Sequence, residues 1–290
     1  MDQANRERLM DKIAILIINH ETPEETQRLI TTIQTHFNPD NFDLTVVDNS
    51  LWYPLEQADI SHSYNKGFDQ VVIDWLKESK SKDYLGYWTL NSDCILKPKD
   101  YTETIIKYLQ DTRIGLLSTV VHEPKAPGWG DTSPLQNPQN LKRETDAKVG
   151  YIDFQSAIIS RGLLNSFPFD NDLVYFLGGL DVDFNLCCEQ YNLFKVVINE
   201  LELIHLGAQS YREPDGQLVK MKRDEYVHKD EYEHMKKLHL TDFIISGDQL
   251  MAYGIKKRYN LDLASERMRM IDTVESVYKN DLAEAINENA

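Results

Sequence analysis

Six consecutive apolar residues, Ile13-Ala14-Ile15-Leu16-Ile17-Ile18, constrain the fold of this chain more than any other feature. A strand with one face in water alternates apolar and polar side chains. A run without alternation, rich in β-branched residues, fits a parallel strand covered on both faces. Covering both faces takes helices, and a helix signal follows at once. Thr22-Pro23-Glu24-Glu25 reads as a capping box with proline at the first helical position. It opens a helix with Leu29, Ile30, Ile33 and Phe37 on one face. Asn38-Pro39-Asp40 stops it, and Phe42 to Val47 is a second strand, ending at Asp48-Asn49-Ser50.

The alternation continues. A helix opens near Gly67, with Phe68, Val71, Val72, Trp75 and Leu76 at helical spacing. A third strand, Tyr84 to Leu90, ends at Asn91-Ser92-Asp93. A helix from near Pro98 runs through Ile105 and Leu109, and a fourth strand covers Ile114 to Val121. This order predicts an α/β fold, a mostly parallel sheet with helices on both faces. The stretch His122 to Lys148 breaks the pattern. It holds four prolines and Gly128-Trp129-Gly130, and reads as a long irregular connection. Beyond it, Tyr151 to Ile159 reads as a strand and Asp181 to Tyr191 as a helix. Phe194 to Ile198 and Leu201 to His205 read as short strands. From Glu225 onward the pattern is helical, with Ile271, Val274, Tyr278 and Leu282 forming one stripe that can pack on the core or on a partner, a second copy of the chain included.

Charge and cysteines narrow the function. The chain carries 31 Lys+Arg against 47 Asp+Glu, a net −16, which argues against non-specific binding to nucleic-acid phosphates. Cys94, Cys187 and Cys188 cannot form a disulfide framework, which fits a reducing compartment. The first eight residues are too charged for a secretory signal, and the Ile13 to Ile18 run is too short to cross a bilayer. The expectation is a cytoplasmic protein without a membrane span.

In open α/β sheets ligands bind beyond the carboxyl ends of the strands. Three strand ends carry polar clusters here: Asn19-His20, Asp48-Asn49-Ser50 and Asn91-Ser92-Asp93. If the strands are parallel, all three meet at one crevice. No Gly-x-Gly-x-x-Gly follows a strand, there is no Gly-Lys-Ser/Thr phosphate loop, and no Gly-x-Ser-x-Gly elbow is present. No Cys/His grouping has structural zinc spacing.

Seven segments, in order, resemble the motifs of family-two (GT-A fold) glycosyltransferases, in particular the rhamnosyltransferase-like members. They are Ile13 to Asn19, Val46 to Ser50, Asn65-Lys66-Gly67-Phe68, Leu90 to Asp93, Tyr151 to Ala157, Leu180 to Phe184, and Ile204-His205-Leu206-Gly207. The resemblance implies a glycosyltransferase domain over residues 1–210, with a nucleotide-sugar half at 12–121 and an acceptor half at 149–207. A helical extension over 211–290 would follow. It implies metal-dependent, inverting transfer of one sugar from a UDP- or dTDP-sugar to a hydroxyl, with Mn2+ or Mg2+ as cofactor. Asp48 would accept the ring N–H of uracil or thymine. Asn19, Asn49, Ser50, Asn65, Gly67 and Asn91 would complete the nucleotide-sugar site. Asp93 would hold the metal, joined by His205. Asp181 would be the base that takes the acceptor proton, near a helix N-terminus that keeps it ionised. Asp153, Asp183 and Trp129 would serve the acceptor.

The chain departs from the family pattern at several points. Asn91 stands where the first aspartate of Asp-x-Asp is usual, and Leu180 where an acidic residue is usual. Cys187 replaces a frequent arginine, and Gln155-Ser156 a frequent Gly-Ala pair. These changes bear on the acceptor more than on the transfer chemistry. Without membrane helices or the Gln-x-x-Arg-Trp motif of processive synthases, single transfer is expected. Two other readings stay open. One is a non-catalytic nucleotide-sugar-binding protein. The other is a sugar-phosphate nucleotidylyltransferase, which would want a glycine-rich loop with arginine where Asn19-His20-Glu21-Thr22 stands. The basic groups Lys220-Met221-Lys222-Arg223 and Lys256-Lys257-Arg258 leave a nucleic-acid base as a minority acceptor.

Overall fold

Every residue of β1, Ile13–Asn19, is buried, as its unbroken apolar run requires. Successive strand side chains leave on opposite faces. Ala14, Leu16 and Ile18 therefore enter one hydrophobic cluster, and Ile13, Ile15 and Ile17 another. The second cluster is closed by α1 (Pro23–His36) through Leu29, Ile30 and Ile33. The first is closed by α2 (Phe68–Ser79) through Val71, Val72, Trp75 and Leu76. The computed structural model from which these facts come describes residues 12–50, 53–63, 66–122, 144–169 and 180–206.

The remaining strands are β2 (Phe42–Asp48), β3 (Ile60–Ser61), β4 (Gly86–Asn91), β5 (Cys94–Leu96), β6 (Ile114–His122), β7 (Ala147–Lys148), β8 (Ser156–Ser160) and β9 (Phe194–His205). The remaining helices are α3 (Thr102–Leu109), α4 (Arg161–Ser166) and α5 (Leu180–Gln190). Among the described residues one sheet of nine strands runs β3-β2-β1-β4-β8-β6-β9-β5, with β7 paired to β9. Helix α3 packs with α1, while α4 and α5 pack with α2. The architecture is α/β, with helices on both faces as expected. No helix of the described residues is long and apolar enough to cross a membrane.

The parallel expectation holds where the crevice lies. β1 pairs parallel with β2 and with β4, and Asn19 stands opposite Asp48 while Ile18 stands opposite Asn91. The other half is mixed. β8 runs antiparallel to both β4 and β6, and β5 and β7 run antiparallel to β9, whereas β6 and β9 are parallel. A strand buried on both faces is apolar throughout in either direction, so the pattern of β8 carries no directional signal.

Three local expectations change. Thr22 precedes α1, but its side chain makes no cap hydrogen bond. Its hydroxyl instead lies 2.7 Å from that of Ser92, beyond the end of β4. The strand expected from Tyr151 begins only at Ser156, because a side chain takes the hydrogen bonds a neighbouring strand would make there. The two short strands expected after Phe194 are one strand, interrupted where Thr119–Val120 of β6 faces Ile198 and then Glu202. There the N–H of Asn199 donates to Asp146 Oδ1 at 2.7 Å.

Gly115 begins the packing of β6 on α5. A Cβ at this position would lie 2.6 Å from Cys188 Sγ and 2.9 Å from Leu193 Cβ. Gly115→Ala is therefore expected to cost about 1–3 kcal/mol by overpacking. An unchanged urea midpoint would contradict that packing. All three cysteines are buried, and none forms a disulfide among the described residues.

Candidate functional site

The ends of β1, β2 and β4 stand in register. Asn19, the last residue of β1, has no exposed surface. Its Nδ2 donates to Asp48 Oδ1 and to Ser50 Oγ, both at 2.8 Å. Its Oδ1 accepts from Thr26 Oγ1 at 2.8 Å and from the N–H of Thr22 at 3.3 Å. Asn19 thus acts from beneath, fixing the Asp48 carboxylate at the end of β2. The N–H of Ser50 also donates to Asp48 Oδ1, at 3.3 Å. Asp48 Oδ2 makes no hydrogen bond among the described residues.

Asn49 and Ser50 tie this end to its surroundings. Ser50 Oγ accepts from the N–H of Glu21 at 2.8 Å. Glu21 holds the turn in the left-handed region, with φ 60°, a conformation that costs a non-glycine residue about 1–2 kcal/mol. Asn49 Oδ1 accepts from the N–H of Lys66 at 2.9 Å. Gly67 follows with φ 81° and directly precedes α2, where a side chain would be strained. Burial holds the imidazoles of His20 and His62 below their ordinary pKa, so both are neutral at pH 7. His20 Nδ1 is 3.1 Å from the Asn49 carbonyl, which only accepts, so Nδ1 carries the proton and donates.

The third strand end is completed by β5, a strand of three residues that the sequence pattern does not reveal. Cys94 pairs with His205 in the antiparallel β5–β9 ladder, and the N–H of Leu206 donates to the Asp93 carbonyl at 3.0 Å. This pairing puts His205 Nε2 3.1 Å from Asp93 Oδ1 and 3.2 Å from Asn91 Nδ2. The two sequence-predicted metal residues therefore meet. Among the described residues no third His, Cys, Asp or Glu joins them. Asn91 Oδ1 is buried without a hydrogen-bond donor. A hard, unsatisfied oxygen beside a carboxylate and an imidazole is a donor set that fits a divalent cation.

Asp181 lies in the first turn of α5 with 8% of its surface exposed. Tyr151 donates its hydroxyl hydrogen bond to Asp181 Oδ2, and the N–H of Val182 donates to Oδ1 at 2.9 Å. Both carboxylate oxygens thus accept a hydrogen bond, and the group sits at the N-terminal end of α5. Asn185, one turn on, fastens α5 to the segment before β8. Its Oδ1 accepts from the N–H of Ile152 at 3.0 Å, and its Nδ2 donates to the Ile152 carbonyl at 2.8 Å. The Gln155 carbonyl at the far end of that segment accepts from the N–H of Asn91 at 3.4 Å. Residues 151–155 therefore link Asp181 to the Asn91–Asp93–His205 cluster.

Asp153 lies in this linking segment, half-buried, and Asp183 has no exposed surface. Asn65, Trp129, Gly207 and the whole 211–290 extension lie outside the described residues. Tyr151 and Asn185, which hold Asp181 and Ile152, are not among the residues expected from the sequence. A polar Asn185 between Phe184 and Leu186 on a buried helix was the one available signal.

Comparison with solved structures bears on the fold. A crystal structure of GalNAc-T7 with UDP, GalNAc and Mn2+ aligns with TM-score 0.52 at 13% identity, over 67% of this chain and 44% of that one. The chain has a GT-A-like fold. S. aureus TarS aligns with TM-score 0.49 at 14% identity, over 68% of this chain and 37% of that one. TarS 1–349 gives 0.49 at 13%, over 69% and 62%. The chain spans less than two thirds of each neighbour. No protein-family model matches the sequence, and no curated protein matches it.

Proposed function

We propose that this chain is a glycosyltransferase that moves one sugar from a UDP- or dTDP-sugar to an acceptor hydroxyl with inversion. The reading is carried by one observation. The ends of β1, β2 and β4 align Asp48 and Asp93 on one sheet edge, and residues 151–155 tie Asp181 to that edge. The UDP and Mn2+ bound by GalNAc-T7 support the donor class. The finer rhamnosyltransferase-like assignment rests on motif order, and a cytoplasmic location on three cysteines that form no disulfide among the described residues.

In this reading Asp48 accepts the N3–H of uracil or thymine on its open oxygen. Asp181 takes the proton from the acceptor hydroxyl as that oxygen bonds to the anomeric carbon. The bond from this carbon to the diphosphate breaks, and its electron pair leaves with the nucleotide diphosphate. Mn2+ or Mg2+, held by Asp93, His205 and Asn91, would neutralise the charge of the leaving diphosphate. Tyr151 orients the Asp181 carboxylate. Asp153 is assigned to the acceptor side, as is Asp183, which is fully buried in the first turn of α5.

Calorimetry with UDP, dTDP and CDP in the presence of Mn2+ tests the donor site. Cytosine lacks the N3–H donor, and a hydrogen bond to a charged group is worth about 1.5–3 kcal/mol. UDP should therefore bind about 10- to 150-fold tighter than CDP. Equal affinities would remove Asp48 from base recognition, and absence of all binding would end the proposal.

A further inference from the structure

Asp69 is a carboxylate inside the protein, 4% exposed, that the transfer chemistry does not use. It sits in the first turn of α2, two residues after Gly67. Its Oδ2 accepts a hydrogen bond at 3.1 Å from the N–H of Leu180, 111 residues away in sequence and the first residue of α5. The next residue is Asp181. At the same end of α2, two residues before Phe68, the N–H of Lys66 donates to Asn49 Oδ1 at 2.9 Å, just beyond the end of β2.

We propose that Asp69 is a positioning residue that couples the nucleotide side of the crevice to the base. A short path runs from Asn49 through Lys66-Gly67-Phe68 to Asp69 at the start of α2, and from Asp69 through its hydrogen bond with Leu180 to the helix turn that carries Asp181. Burying a carboxylate is costly unless it is hydrogen-bonded. At this position it satisfies an otherwise orphaned helix N–H at the start of α5. Tyr151 and Asn185 hold the base from the β8 side, so Asp69 supplies the restraint from the donor side. The inference rests on the functional reading above, since it assigns Asp181 as the base.

Two variants separate positioning from bulk structure. Asp69→Ala removes the acceptor, whereas Asp69→Asn keeps an oxygen that can accept from Leu180. Donors are screened as a panel of UDP- and dTDP-sugars, read by nucleotide diphosphate release. Asp69→Ala should lower kcat about 10- to 100-fold, the scale of an ångström-level misplacement. KM for the donor and the affinity for UDP with Mn2+ should stay within about twofold of the parent, because the nucleotide site is untouched. Hydrogen exchange over residues 180–190 should quicken in the same variant. Asp69→Asn should restore most of kcat and of the protection.

The proposal is overturned if Asp69→Asn is as impaired as Asp69→Ala, if Asp69→Ala keeps full kcat, or if exchange over 180–190 is unchanged. If Asp69→Ala does not fold, Asp69→Glu, which shifts the carboxylate by one methylene, is read by the same criteria with an intermediate kcat expected. Failure of the wild-type protein to bind UDP or turn over any donor strikes the functional reading, while the exchange measurement still decides whether Asp69 restrains α5.

Discussion

Asp181→Asn is expected to bring turnover down by about 100- to 10,000-fold, the usual contribution of a positioned general base, with nucleotide binding intact. The substitution is nearly isosteric. Tyr151 can still donate to the amide oxygen, so the helix turn keeps its anchor on that side. What disappears is the ability to take a proton from the acceptor. Nucleotide diphosphate release measures the loss, and calorimetry of UDP with Mn2+ shows whether the donor site survives. Retention of both activity and binding would remove Asp181 as the base. Retention of binding with loss of turnover separates an enzyme from a non-catalytic nucleotide-sugar-binding protein.

Asn185→Leu is expected to have the largest effect on stability. The Asn185 amide is the hydrogen-bonding partner of both backbone groups of Ile152, at 3.0 and 2.8 Å, and it also donates to the Asp181 carbonyl at 2.7 Å. Ile152 and Asn185 have no exposed surface. Leucine fills a similar volume and offers no polar atom, so a buried N–H and a buried carbonyl lose their partners. At about 1–3 kcal/mol for each, the loss is roughly 2–6 kcal/mol. Urea unfolding followed by tryptophan fluorescence measures it. A midpoint within error of the wild type would mean that water or a shifted backbone satisfies Ile152 and that the clasp has no structural weight.

The comparison of sequence with structure divides along physical lines. Local signals were readable in the sequence. The unbroken Ile13 to Ile18 run and the helical spacing of Val71, Val72, Trp75 and Leu76 marked β1 and α2, and the polar clusters marked the ends of β1, β2 and β4. Contacts made by a single side chain across a long sequence separation were not. Residues 151–155 look as apolar as a strand, yet the Asn185 amide replaces the strand partner. β5 is only Cys94-Ile95-Leu96, too short for any period, yet its pairing with β9 is what brings His205 to Asp93. The Thr22 hydroxyl has the right sequence context for a helix cap, but the Ser92 hydroxyl competes for it and wins.

β1 is apolar on both faces, and that removes the usual penalty for sliding. In a half-exposed strand a one-residue slip would drive greasy side chains into water. Here a slip only exchanges one oily environment for another. The alignment must therefore be read from the two ends of the strand. At one end Lys12 is pinned by its ion pair with Asp43 at 3.0 Å, and at the other Asn19 is clamped to Asp48. The asparagine that fixes the Asp48 carboxylate thus also serves as a ruler for the central strand, so a defect at Asn19 would misthread the sheet as well as release that carboxylate.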